Sequence, residues 1–125
     1  MKTVKITPEN KIFMVDVNFD NWESLAKQVG GYIETVRTQI MNDFFGEQIV
    51  MIVHEEGILK KLPVNAVGSY MYGTHEHGHP IVGNIVFGHW GYGGDITGPI
   101  DAEAMKRKLM AKFEFLEEGD ADEKH

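Results

Sequence analysis

Short apolar segments separated by turn residues constrain the fold of this chain more than any other feature. Residues 3–6, 12–17, 32–40, 48–53, 58–62 and 81–87 each have strand length and are rich in β-branched or aromatic side chains. Clusters such as Pro8-Glu9-Asn10 and Glu55-Glu56-Gly57 separate them, and the second cluster predicts a hairpin of residues 48–53 with 58–62. Strands joined mainly by short turns favour an antiparallel or mixed sheet.

Helical spacing of apolar residues appears in a few places. The clearest is residues 102–117, where Met105, Leu109, Phe113 and Leu116 recur at helical intervals. A shorter helix is predicted over residues 21–29, with Asp20 as N-cap, Glu23 completing a capping box, and Gly30-Gly31 ending it. Residues 65–72 predict a third, short helix. The predicted fold class is therefore α+β, with a short N-terminal helix and a longer C-terminal helix packed on one face of the sheet.

The length and charge of the chain predict one domain with an acidic tail. A chain of 125 residues can bury its own core, and we expect one α+β domain over residues 1–116. Residues 117–125 carry five of the acidic side chains behind the net charge of -7, which predicts a solvated, disordered tail. No basic stripe is present, so direct nucleic-acid binding is disfavoured.

Composition also bears on compartment and redox chemistry. The chain has no cysteine, which excludes disulfides and thiolate chemistry. No apolar run approaches 18 residues and the N-terminus lacks a signal-peptide core, so no membrane association is expected. We expect the cytoplasm of a bacterial host cell.

Residues 73–98 concentrate the side chains that could carry chemistry, with four histidines and eight glycines. If residues 75–79 form a strand, His75, His77 and His79 share a face and could, with His89, hold zinc or nickel. That arrangement would suit a metal-dependent hydrolase. Gly73, Gly78 and Pro80 favour a mobile loop instead. On that basis we expect no ordered metal and no cofactor.

The glycine-rich run Gly91-Tyr92-Gly93-Gly94 suggests a ligand site. Trp90 and Tyr92 could stack on a nucleobase, while His89 and the glycine amides contact phosphate. Asn65 is either a helix cap or a further ligand contact. Cations are scarce in this segment, so Arg37 or a second subunit would have to help, which favours a homo-oligomer.

Three sequence blocks resemble a known family. They are the run from Val29 to Glu34, the pair His54-Glu55-Glu56-Gly57 and Leu62-Pro63-Val64-Asn65, and the run from Pro80 to Phe87. In this order they resemble an uncharacterised domain-of-unknown-function family of small proteins from phages, plasmids and their hosts, over roughly residues 20–117. His54 and the histidine-rich segment depart from the family pattern. The resemblance implies a mobile-element setting, where small proteins often block host defence.

Two functions of different classes follow. The first is a non-enzymatic counter-defence protein that sequesters a small nucleotide-type ligand or covers a host defence protein. The alternative is a metal-dependent hydrolase built on His75, His77, His79 and His89. The candidate binding residues are Arg37, Asn65, His89, Trp90 and Tyr92, and no catalytic residue is assigned. A structural virion protein is also compatible with the sequence.

Overall fold

The computed structural model of the chain describes residues 1–119, which contain seven strands and five helices. The strands are β1 Lys2–Ile6, β2 Lys11–Asp16, β3 Ile33–Val36, β4 Ile49–His54, β5 Ile85–Trp90, β6 Ile96–Thr97 and β7 Glu117–Glu118. The helices are α1 Trp22–Val29, α2 Gln39–Phe45, α3 Ala66–Tyr72, α4 Thr74–His77 and α5 Ala102–Lys112. None of these helices is long and apolar enough to cross a membrane.

The strands form one open, mixed sheet. Its order is β3-β4-β5-β1-β2-β7, and β6 pairs with the distal part of β5. All pairs are antiparallel except β2 with β7, which is parallel. The predicted α+β class with a mixed sheet is confirmed, and so is the packing of a C-terminal helix on that sheet.

Helices cover both faces of the sheet, not one face as the sequence suggested. Alternate β4 residues point to opposite sides. Met51 and Val53 pack in the larger core cluster with side chains of α2, α3 and α5. Ile52 packs with Leu25 and Val29 of α1 in the smaller cluster. All six residues of β4 are buried, because both of its faces are covered.

Two predicted strands are wrong. The strand over residues 32–40 stops at Val36, and Thr38 caps α2 by accepting a hydrogen bond from the backbone N–H of Met41. The predicted strand over residues 58–62 is a series of turns, in which Lys61 has a positive φ of 56°. The neighbours of β4 are instead β3 and β5, so the predicted hairpin does not form.

Several element boundaries also differ from the prediction. Asn21, not Asp20, caps α1 and accepts a hydrogen bond from the Glu23 backbone at 2.9 Å. Helix α5 ends at Lys112, and Phe113 is its C-cap. Strand β5 begins only at Ile85, because Gly83 has a φ of 79° and interrupts the extended run from residue 81.

The acidic C-terminal segment begins inside the fold. Glu117–Glu118 form β7 beside β2, and the Lys11 ammonium pairs with the Glu117 carboxylate at 2.8 Å. The rest of the predicted tail, residues 120–125, lies outside the described residues.

Candidate functional site

Arg37 and Trp90, which are remote in sequence, meet on the α1 face of the sheet. Arg37 directly follows β3, and Trp90 is the last residue of β5. The guanidinium carbon lies 4.0 Å from the centroid of the Trp90 rings, which is a close cation–π contact. Within residues 1–119, Arg37 has neither a hydrogen-bond nor an ion-pair partner, so the edge of its guanidinium group remains open to an anion.

Tyr92 lies on the tight turn that follows Trp90. The Gly91 N–H donates to the Asp95 carbonyl at 2.7 Å, and Gly94 adopts a left-handed φ of 87°. A Cβ atom at Gly94 would lie 3.8 Å from Trp90 Cζ2, so the turn folds back against the indole. The Tyr92 side chain is completely exposed and offers both ring faces to solvent. The predicted glycine-rich turn therefore presents one exposed aromatic ring two residues after Trp90.

His89 points to the opposite face of the sheet from Trp90. Side chains alternate along β5, and its odd-numbered residues Ile85 and Phe87 belong to the α5 side. On that side His89 Nδ1 lies 2.6 Å from Glu47 Oε2, which also accepts the Ile100 N–H at 3.3 Å. A carboxylate only accepts hydrogen bonds, so Nδ1 is the donor in this bond. The structure thus separates His89 from Arg37 and Trp90.

Asn65 is a structural residue of the core. As the sequence suggested, it caps α3, with its side-chain oxygen accepting the Gly68 N–H at 3.0 Å. Its amide nitrogen donates to the carbonyls of Ile6 and Gly83 at 3.0 and 2.9 Å. The residue is fully buried and leaves no surface for a ligand. The helix-cap interpretation is confirmed, and Asn65 does not join the other predicted site residues.

The histidine-rich segment forms a short helix instead of the expected loop. Gly73 and Gly78, both with positive φ, flank α4. Residues two apart do not face each other on a helix, so His75 and His77 diverge. His77 and His79 lie against the Tyr72 ring at 4.7 and 4.9 Å, and the Tyr72 hydroxyl is 2.9 Å from His79 Nε2. Among residues 1–119, no group of three or more potential ligands is placed to hold a metal ion.

Two features of the surface escaped the sequence analysis. No local sequence motif marks Glu47 as the partner of His89. The contact follows from the pairing of β4 with β5, which brings the two residues together. Trp22 recurs with Leu25 and Val29 at helical spacing, yet it is 54% exposed and stacks on Tyr32 at 6.3 Å between ring centroids. This pair lines a groove of about 420 Å³ with Lys27 and Lys60. The position of Trp22 in the first helical turn, ahead of the buried Leu25, was the available signal.

Together, the fold and site define a small α+β protein with an open mixed sheet and an exposed cation–aromatic surface at one corner. The chain belongs to the family described as Domain of unknown function (DUF3846), which matches residues 1–114. The expected family membership is thereby confirmed, although the match begins at residue 1 and not near residue 20. No curated protein and no solved structure is significantly similar to the chain.

Proposed function

We propose that this protein is a stoichiometric binding protein for a small nucleotide-type ligand, and that it serves a phage or other mobile element as a counter-defence factor in the host cytoplasm. The observation that carries the proposal is the contact of Arg37 with Trp90. It places an unpaired guanidinium group beside aromatic rings on an exposed surface. Covering a host defence protein with the same surface is the second form of this proposal, because exposed aromatic and arginine side chains also anchor protein interfaces.

The chemistry of the corner suits a ligand that is both planar and anionic. The guanidinium fork can bind a phosphate group through two parallel hydrogen bonds, and the exposed Tyr92 ring can stack on a base. Stacking of one base on an aromatic side chain contributes about 1–3 kcal/mol. In the turn after Trp90, the Gly91 and Gly94 N–H groups donate within the turn, and the Tyr92 and Gly93 N–H groups can add donors. His89 is held on the other face and takes no part in this arrangement.

The surroundings of the serine side chains support a binding function and not a catalytic one. The chain has no cysteine and two serines, Ser24 and Ser69. Ser69 Oγ accepts the Ile81 N–H at 3.0 Å and donates to the Ile81 carbonyl at 3.3 Å. Ser24 Oγ accepts the Asn18 N–H at 3.0 Å. Both hydroxyl groups thus satisfy backbone groups, and neither has an imidazole partner among the described contacts.

The geometry gives less support to a hydrolase built on His75, His77, His79 and His89. His89 pairs with Ile49 at the start of β4, whereas His79 shares a cleft with His54 at the end of that strand. Five strand intervals separate these two ends by about 17 Å. A shared metal ion requires ligand distances of about 2.1 Å. The binding proposal needs no such rearrangement.

The proposal is tested by native mass spectrometry of protein purified from defence-active cells, followed by calorimetric titration with the co-purified compound or a panel of mono-, di- and cyclic nucleotides. Arg37→Ala and Trp90→Ala should each weaken binding by at least about tenfold, the loss of roughly one charge-assisted bond or stack. Arg107→Ala is the matched control, since Arg107 is the other arginine and lies exposed on α5.

Two results would contradict the proposal. Unchanged affinity in both variants, with circular dichroism showing an intact fold, would exclude this surface as the ligand site. Product formation over many turnovers per chain would exclude stoichiometric binding.

Trp22→Phe leaves Trp90 as the single tryptophan, so quenching of its fluorescence in this variant reports ligand bound at the proposed position.

A further inference from the structure

Strand β3 is the outer strand of the sheet, and half of its backbone hydrogen-bonding groups face away from the protein. The Tyr32 carbonyl accepts the Glu55 N–H at 2.9 Å, so Tyr32 and Glu55 form a hydrogen-bonded pair. In an antiparallel ladder such pairs recur at every second residue, which identifies the β3 residues that bond to β4. Glu34 and Val36 therefore face β4, while Ile33 and Thr35 direct their N–H and carbonyl groups outward. No described residue pairs with these outward groups.

Large exposed hydrophobic side chains lie beside this open edge. Trp22 and Tyr32 stack next to the start of β3, and each is more than half exposed. Ile58 and Leu59 are 56% and 82% exposed and line one cleft with Glu34 of β3. Strand β3 has no lysine, proline or bulge to protect its edge, and Glu34 is its one charged residue. An unpaired edge flanked by clustered apolar side chains is typical of an interaction surface.

We propose that β3 pairs antiparallel with β3 of a second copy of this chain, about a two-fold axis that passes through Thr35. Only residues whose N–H and carbonyl groups face outward can bond across this interface. Odd-numbered residues of one copy must therefore pair with odd-numbered residues of the other. Pairing Ile33 with Thr35 of the second copy satisfies this rule but sets Glu34 directly opposite Glu34, which is destabilising. Shifting the register to centre on Thr35 removes that repulsion and keeps the strands overlapped.

The Thr35-centred register is self-complementary, as a two-fold interface requires. Thr35 faces Thr35 of the second copy, a favourable cross-strand pair. Glu34 lies opposite Val36 and Arg37 lies opposite Ile33, so no like charges meet directly. Because Ile33, Thr35 and Arg37 share one side of the strand, the corner that carries Trp90 borders the second copy. The interface does not depend on the proposed ligand, and its tests need none.

The first test is the mass of the wild-type protein, measured by light scattering over a concentration series. We expect a rise from the monomer mass of 14.1 kDa to twice that value. Amide hydrogen exchange should slow at Ile33 and Thr35 over the same range, because their N–H groups become bonded. A monomer at every concentration up to the solubility limit would overturn the proposal, and so would a dimer in which these two amides exchange unchanged.

Single cysteines test the register directly, since the chain has none of its own. Opposed residues of a hydrogen-bonded antiparallel pair lie about 5.5 Å apart between Cα atoms, within the range of a disulfide. Thr35→Cys should therefore cross-link to a dimer on mild oxidation. Lys108→Cys, at an exposed position on α5, is the control and should remain mostly monomeric. Equal cross-linking of the two variants would overturn the register.

Thr35→Pro tests the edge without disturbing β4. The Thr35 N–H faces outward, so proline removes no hydrogen bond of the monomer but blocks the paired strand. We expect a folded variant, by circular dichroism, whose dimer dissociation constant rises at least about tenfold for the lost bonds. Thr35→Lys is the second variant if proline prevents folding. Unchanged dimerisation of a folded variant would show that the interface lies elsewhere.

Discussion

At the scale of single residues, Gly30 and Gly31 meet two different physical requirements. The pair was predicted to end α1, and Gly30 does so with a positive φ of 91°, donating its N–H to the Ala26 carbonyl. Gly31 has no such backbone requirement. A Cβ atom there would lie 2.5 Å from His54 Nε2, so the residue must be small because a buried ring covers it. The first need is local and visible in the sequence, whereas the second arises only from tertiary packing.

The two glycines should respond differently to alanine. Gly30→Ala should lower the free energy of unfolding by about 1 kcal/mol, through backbone strain alone. Gly31→Ala should cost about 1–3 kcal/mol, because His54 must move from a packed site. Urea denaturation measures both values. Adding His54→Ala should relieve only the Gly31→Ala penalty, and strictly additive effects at residues 31 and 54 would contradict the contact.

Asn65 was predictable as a helix cap, but its second role was not. The two carbonyls that its amide nitrogen reaches belong to distant parts of the chain, so no local pattern indicates them. Asn65→Ala should cost about 3 kcal/mol or more, since it removes three buried hydrogen bonds, one to a helix N–H and two to carbonyl groups.

The polarity of Asn65 can be tested separately from its size. Asn65→Asp keeps the acceptor for Gly68 but turns a carboxyl oxygen toward two carbonyl groups, and it should be at least as destabilising as alanine. Chemical denaturation measures both variants. Asn84→Ala is the control, because Asn84 makes one side-chain bond, to the Gln28 carbonyl. A loss for Asn65→Ala no larger than for Asn84→Ala would refute the network.

At the scale of secondary-structure elements, most segments with a repeated apolar pattern or a clear cap were predictable, whereas α2 and α4 were not. The α1 and α5 helices carry repeated apolar positions, and both form. The predicted strand over residues 32–40 ran into the first turn of α2, although Ile40, Met41, Phe44 and Phe45 recur at helical spacing and lie in or against the larger core cluster. The side chain of Thr38 decided the outcome, since its hydroxyl both caps α2 and donates to the Met71 carbonyl of α3 at 2.7 Å.

The end of α5 gives a prediction at this scale. Phe113 was predicted to dock as part of the helix, and it is buried although the helix has ended, with its ring edge-on to Tyr70 at 5.4 Å. Phe113→Ala should therefore cost about 3–5 kcal/mol in unfolding free energy. Phe115→Ala is the matched control, because Phe115 is 49% exposed and should lose far less. Similar losses at both positions would mean that residues after Lys112 do not pack in this way.

At the scale of the whole molecule, the sequence predicted the class of fold but not the order of its strands. Strand β1 lies between β5 and β2, so the N-terminal hairpin of β1 and β2 is placed between β5 and the C-terminal strand β7. That placement determines which residues meet. Arg37 reaches Trp90 across β4, and His89 turns away from both because neighbours on a strand face opposite sides. Because His89 and Trp90 are adjacent in sequence, both were assigned to one binding site. The strand that contains them places their side chains on opposite faces of the sheet.

The extent of the folded unit gives the last prediction, because β7 lies within the segment that the sequence assigned to a disordered tail. The Glu117 and Gly119 N–H groups donate to the carbonyls of Asn10 and Ile12 at 3.0 and 2.8 Å. A chain ending at Leu116 should therefore be less stable than one ending at Gly119 by about 1–3 kcal/mol for these two bonds. We expect the chain ending at Gly119 to match the full-length protein in free energy of unfolding.

The same pair of truncated chains should differ in their response to pH. The hydrogen bond and charge of Lys11 lower the pKa of the Glu117 carboxyl. A carboxyl whose pKa is lowered by folding contributes stability above its ordinary pKa, and that contribution is lost as the pH falls through the folded-state pKa. The advantage of the chain ending at Gly119 should therefore shrink from neutral to acidic pH in urea denaturation. If the advantage grows on acidification, the Lys11–Glu117 pair does not stabilise the fold. If the two chains are equally stable at neutral pH, β7 itself does not stabilise it.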